Sequence, residues 1–307
     1  MNIDNVEFNG WKNCRKISNG AVELIVTTDI GPRVMRYAPD GGMNVFAEID
    51  GQQGGSGEDE WLIRGGHRCW IAPEEKPRTY ELDNDSVQVE LLADGIRTLQ
   101  PVGMLTGIRR MMEIRLAKSG SRVDINHILR NESKESQEVA PWAISAMAVD
   151  GCAIIPLPPK VPHTEKLTHS QEWSLWGYTD FTDRRWTIGQ HYIFFRQDVT
   201  LGPNKLGISH REGWVAYQLG DQVFIKVFER DDAKKYPDGN VNFETFSNEE
   251  FLELESLGGL EVFAPGATLR HAETWYMLTG VPPCDDEADV NHHIRARFSE
   301  LNDPRLK

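Results

Sequence analysis

The chain has 307 residues, room for one large domain or two ordinary ones, and a 39% hydrophobic fraction that can supply a sizeable core. Its net charge of −14, from 47 acidic against 33 basic residues, argues against nucleic acid or an anionic membrane surface as partner, because both call for a basic footprint. No stretch approaches the ~20 consecutive apolar residues of a membrane span, and residues 1–7 carry neither a basic region nor an apolar run, so neither a span nor a signal peptide is expected. The four cysteines (Cys14, Cys69, Cys152 and Cys284) are far apart and form no CxxC pair. They read as reduced thiols of a cytoplasmic protein.

Strand signals dominate from the start of the chain. Residues 21–28 are rich in β-branched side chains, the turn Asp29-Ile30-Gly31-Pro32-Arg33 follows, and 34–37 forms a second short strand closed by Asp40-Gly41-Gly42. The segment Gly65-Gly66-His67-Arg68-Cys69-Trp70-Ile71-Ala72-Pro73-Glu74 has a mixture that a packed strand rarely needs. Glycine allows close backbone approach, His exchanges protons near neutrality, Arg presents a fork of donors and Trp a flat apolar plate. Together these suit a sugar site; a solvated loop with a structural Arg is the plainer alternative.

Further strands are expected over 86–92, 109–116 and 122–129. In the last, alternation puts His127 on one face with Val123, Ile125 and Leu129, the signature of a core histidine unless a bulge turns it over. Residues 156–176, with Pro156, Pro158, Pro159 and Pro162, read as a long excursion from the sheet. Strands return at 192–196, 214–218 and 222–228. The first ends in Arg196, and in the last Lys226 stands between the same-face aromatics Phe224 and Phe228. Residues 235–244 have the composition of a turn.

Over 251–256 the alternation places Leu252 and Leu254 on one face, and Phe251, Glu253 and Glu255 on the other. With the leucines in the core, two carboxylates ~7 Å apart line the opposite surface. Close carboxylates can raise one pKa, as a general acid or base needs; a solvent-facing strand surface gives the same pattern. A last strand is expected over 274–278. Helical periodicity is confined to 286–301, where Val290, Ile294, Phe298 and Leu301 recur on one face. The whole reads as one all-β domain over 1–307, of large antiparallel sheets with a short C-terminal helix. His67, His163, His169 and Glu74 show no spacing that demands a metal, and there is no HExxH, phosphate loop or Gly-x-Ser-x-Gly elbow. No metal and no cofactor are expected, and no assembly state is read from the sequence.

The order of features resembles the galactose mutarotase-like superfamily, most closely the DUF4380 family. The resemblance rests on Gly31-Pro32-Arg33, Gly41-Gly42-Met43-Asn44-Val45-Phe46, Gly65-Gly66-His67-Arg68 with Trp70 and Ala72-Pro73-Glu74, Pro141-Trp142-Ala143, Arg196-Gln197-Asp198, Tyr236-Pro237-Asp238-Gly239, Phe251-Leu252-Glu253-Leu254-Glu255, Leu257-Gly258 and Pro265-Gly266. It implies a β-supersandwich with a sugar site on a concave sheet face. Aldose mutarotases carry their base in a Leu-Glu-x-Gln context, matched by Leu252-Glu253-Leu254 with Glu255 in place of Gln. Their acid is a His followed four residues later by Asn, a spacing kept by His127 and Asn131, and their hydroxyl-holding Arg corresponds to Arg68.

The function expected on these grounds is a cofactor-independent aldose epimerase or mutarotase acting on a small carbohydrate. Glu253 is the base, His127 or His67 the acid, and Arg68, Trp70, Glu74, Glu255, Lys226 and Arg196 hold substrate. The rivals are a lyase or hydrolase of an acidic sugar, gripped by Arg68, Lys226 and Arg196, and a non-catalytic carbohydrate-binding protein. Trp70, His67 and Arg68 are expected to line one cleft with Glu253.

Overall fold

A computed structural model describes residues 1–306. Its strands form two antiparallel sheets, of eleven and ten strands. The first runs in the order Asn2–Phe8, Trp11–Ser18, Val22–Val26, Val34–Pro39, Gly66–Ala72, Gln137–Met147, Leu252–Leu257, Phe243–Ser247, Asn204–Ile208 and Trp173–Leu175, with Glu261–Phe263 paired beside Gln137–Met147. The second runs Trp186–Ile188, Tyr192–Arg196, Cys152–Pro156, Trp214–Leu219, Gln222–Phe228, Thr268–Leu278, Val123–Asn131, Ile108–Leu116, Gly95–Leu99 and Gln88–Leu92. Among the described residues no helix is long and apolar enough to cross a membrane.

The main core lies between the sheets. Leu252 and Leu254 of the first sheet pack there with Phe224, Trp275, Ile125 and Met112 of the second. The alternation of residues 252–255 is thereby resolved: the leucines are buried in the sandwich and the glutamates project from its outer side. Leu254→Ala should cost about 2–5 kcal/mol, the range for emptying a buried leucine site. A urea transition shifted to lower concentration with an unchanged m-value is the expected result.

The C-terminal helical expectation is met with a difference. Asp286 caps the start through the amides of Ala288 and Asp289, and the stretch winds from Glu287–Asp289 through a wider π turn and a 3₁₀ turn to Phe298–Leu301. Val290, Ile294 and Phe298 cover the outer face of the ten-stranded sheet, against Trp214, Tyr276 and Leu278.

The segment 65–74 departs most from expectation. Gly66–Ala72 is a central strand, between Val34–Pro39 and Gln137–Met147, and nearly all of it is buried. Its odd composition reflects two polar environments, one on each face. The preceding Gly65 has φ +94°, and a Cβ there would stand 2.0 Å from the carbonyl oxygen of Ala47. Only glycine lets the chain pass so close on its way into the sheet.

Candidate active site

The glutamate-bearing face of the eleven-stranded sheet carries a pocket of 370 Å³ lined by Trp61, Arg68, Trp70, Glu74, Tyr80, Trp142, Tyr178, Lys205, Phe246, Glu250, Phe251 and Glu253, among others. Its size is within the range of small-ligand sites. Three neighbouring strands build the floor. Register sets Arg68 opposite Ile144 and Trp70 opposite Trp142, and sets Ile144 in turn opposite Glu255. Side chains of one parity on each strand therefore share the outer face: Arg68 and Trp70, Trp142 and Ile144, Glu253 and Glu255.

Trp61, Trp70, Tyr80 and Trp142 form a continuous aromatic wall, Trp70 having ring centroids 4.7 Å from Trp61, 5.0 Å from Tyr80 and 5.6 Å from Trp142. The fully buried Arg33 places Trp61. Its guanidinium donates to the carbonyls of Leu62 and Ile63 and pairs with Asp83 at 2.8 Å, fixing the loop that brings Trp61 over the strand. The Gly31-Pro32-Arg33 motif thus supports the site from behind.

Arg68 lies 4.4 Å over Trp70 and 5.3 Å from Trp61, and its Nη2 donates to Glu253 Oε1 at 3.2 Å. Glu253 is 8% exposed. Burial pushes its carboxyl up to about 7, against the pull of Arg68 and with the added repulsion of Glu255. Glu255 lies deeper, accepting from Trp142 Nε1 at 2.9 Å and from Lys205 Nζ at 3.3 Å. Lys205 also meets Glu244 at 2.6 Å. Burial works against its ammonium, but Glu255 and Glu244 more than offset that, and its pKa lies above the ordinary lysine value. Glu74 receives the Tyr80 hydroxyl at the pocket rim.

Four sequence-predicted site residues lie elsewhere. His67 is next to Arg68 in the strand and so points the opposite way, between the sheets, where it meets His127 of the ten-stranded sheet. Both imidazoles are fully buried. The proton positions in this chain follow from its ends. His127 Nδ1 must donate to the carbonyl of His271 at 3.0 Å, so its Nε2 accepts from His67 Nε2 at 2.8 Å, and His67 Nδ1 accepts from the Ser145 hydroxyl at 2.8 Å. Burial lowers the pKa of both, most strongly that of His67, and both are neutral at pH 7. His127 keeps to the core side that strand alternation gives it. Lys226 is also between the sheets, bonded to Glu273 at 2.9 Å and to the carbonyl of Leu254 at 2.9 Å. Arg196 lies against Phe194 on the far face of the ten-stranded sheet. None of these four lines the pocket.

Among the described residues the one group with the spacing of metal ligands is His67, His127 and Glu273, with ligand atoms within 4.8 Å of one another. Those atoms are already engaged. The two Nε2 atoms share a proton, and Glu273 accepts from Lys226 and Ser256 at Oε1 and from Trp275 at Oε2. If the cluster is structural, His127→Asn should cost about 1–3 kcal/mol by leaving the buried His67 N–H without an acceptor, while ligand affinity at the pocket, per folded molecule, stays unchanged. Denaturant unfolding and calorimetric titration on the same preparation check both halves.

Sequence reasoning missed Trp61, Tyr80, Trp142, Tyr178, Lys205, Phe246 and Glu250 as pocket residues. The lysine of Asn204–Ile208, alternating with Leu206 and Ile208 of the core, was the available signal for Lys205. Trp61 and Tyr178 arrive on irregular segments whose fold the local sequence does not dictate.

No family model and no curated protein sequence matches the chain. Solved structures do match in fold. A galactose mutarotase-like protein from Lactobacillus casei ATCC 334 superposes with a TM-score of 0.59 at 10% identity, over 87% of this chain and 100% of that one. A galactose mutarotase-like protein from Clostridium acetobutylicum gives 0.56 at 10% identity, over 90% and 98%. A galactose mutarotase related enzyme from Lactobacillus acidophilus gives 0.55 at 10% identity, over 87% and 98%. The fold is therefore that of galactose mutarotase-like proteins.

Proposed function

We propose that this protein is a carbohydrate-active enzyme of the aldose epimerase or mutarotase kind, a cytoplasmic relative of the DUF4380 proteins that needs no cofactor and takes a small sugar at this pocket. One observation carries the reading: a buried carboxylate, Glu253, stands at the wall of an aromatic pocket beside Arg68, with its pKa brought to about 7. That suits a group which must take and return a proton near neutrality.

In this mechanism the sugar ring stacks on Trp61 and Trp70, and Arg68 holds hydroxyl oxygens. Glu253 removes the proton of the anomeric hydroxyl as the bond from C1 to the ring oxygen breaks. The ring oxygen takes a proton from a donor on the opposite side, C1 becomes an aldehyde carbon, rotation about C1–C2 follows, and closure by the reverse steps gives the other anomer. With both imidazoles behind the sheet, the donor role passes to Lys205, a pocket-lining ammonium held charged by Glu244 and Glu255.

The test is NMR exchange spectroscopy between α and β anomers across a panel of aldoses. A substrate whose exchange is accelerated should show kcat/KM rising with pH through about 7 as Glu253 ionises. Binding without exchange for every aldose would leave a carbohydrate-binding protein and end the enzyme reading.

A further inference from the structure

We infer that the sugar taken here carries an amino group in its ammonium form, and that uronates and sugar phosphates are rejected. This rests on the carbohydrate reading above and adds the substrate class to it. Five charged side chains line the pocket: Arg68 and Lys205 against Glu74, Glu250 and Glu253. Both cations are already committed. Arg68 is paired with Glu253 and stacked on Trp70. Lys205 is set between Glu244 and Glu255 just behind the wall.

The carboxylates are less fully used. Among the described residues no donor reaches Glu253 Oε2, although the residue is only 8% exposed. Glu74 receives a hydrogen bond at Oε1 alone, and neither Glu74 nor Glu250 has an ion pair. The five lining side chains sum to a slight negative charge even when Glu253 is half protonated, and low-dielectric walls concentrate the field of such a charge. Of the aromatic walls, Trp61 already faces Arg33 and Arg68, Tyr80 faces Lys76 and Trp142 faces Lys205, while the Tyr178 ring has no such cation among the described residues and can attract one.

Arg68 is the feature an oxyanion would use, since its Nε and Nη1 make no hydrogen bond to protein. Its charge is nevertheless met on the pocket side by Glu253. A second anion in the pocket would meet Arg68 only at the cost of displacing Glu253.

The test is calorimetric titration of the full chain at pH 6.5 and low salt with three matched series, built on glucose, galactose and mannose. Each contains the neutral hexose, the 2-amino sugar, its N-acetyl derivative and the uronate. In the series that binds best, the amino sugar should bind about tenfold tighter than the neutral hexose, an ammonium–carboxylate contact in a partly desolvated site being worth on that order. N-acetylation should erase the advantage, added salt should shrink it, and the uronate should bind weakest. Glu250→Gln should narrow the gap between amine and hexose. A uronate tighter than the amine, or an amine equal to the hexose, overturns the inference. Anomer exchange read by NMR on the same samples separates the two proposals: the order amine, hexose, uronate without exchange refutes the enzyme reading alone. No binding in any series refutes both.

Discussion

If the proposed epimerase reading holds, Glu253→Gln is expected to lower turnover on the aldose that the exchange panel identifies by roughly 10²-fold or more, the scale of a lost general base, while the fold and affinity for that aldose persist. The substitution keeps side-chain size and removes only charge and basicity. The amide can still accept from Arg68 at the position of Oε1, 3.2 Å from Nη2, and can still hydrogen-bond a hydroxyl. Stability should hold or rise slightly, because a carboxyl raised to about 7 by burial pays for ionisation at higher pH and an amide does not. The pH dependence should change as well. The limb near pH 7 should vanish from what activity remains. Full turnover in the variant would remove Glu253 from the mechanism. A parallel loss of affinity and activity would mark it as a binding residue instead.

The second large effect is acid lability. Four imidazoles, those of His67, His127, His210 and His271, are kept neutral chiefly by burial, with His210 brought down to about 4 and His271 to about 3. In the unfolded chain each titrates near ~6.5. Below that pH the unfolded state binds protons that the native state refuses, and stability falls as pH falls. Glu253 and Glu244 oppose this, since burial raises both and the native state keeps protons that the unfolded state has released above ~4.5. Four imidazoles against two carboxyls leave a net uptake of protons on unfolding between pH 5 and 6, so stability falls as pH falls through that interval. Guanidinium unfolding at pH 7.0, 6.0 and 5.0 should show the midpoint dropping steeply at constant m-value. A flat or rising midpoint over that interval would show that the histidine cluster is solvated and titrates freely.

The legibility of this site in the sequence followed the chemistry of each face. Residues 252–255 were readable because the leucines are apolar and the glutamates charged, so alternation alone assigned the faces. For residues 66–72 no such contrast exists: His67 enters a polar network inside the sandwich, and Arg68 enters a polar pocket outside it. A strand polar on both sides imitates a loop. His127 was readable by parity, since its face-mates Val123, Ile125 and Leu129 are core residues. The role borrowed from a four-residue His-to-Asn spacing conflicted with that parity, and in the structure the imidazole is between the sheets. The strands Gln137–Met147 and Asn204–Ile208 went unassigned because their outer residues, Trp142 and Lys205, are themselves buried beneath other segments of the chain. Burial on both faces erases the period-two signal.

The opposed projection of His67 and Arg68 also limits how this protein can be altered. One backbone segment serves the core network and the pocket at once, so a one-residue slip of Gly66–Ala72 would exchange the two side chains and ruin both faces together. Insertions and strand substitutions are therefore poor routes to a new ligand preference. The freedom to change it belongs to the pieces that reach the pocket from outside the central strands: the segment bearing Trp61, the turn with Glu74 and Tyr80, the excursion carrying Tyr178, and the short connection that holds Glu250. Library design aimed at substrate range would concentrate there and leave the sheet alone.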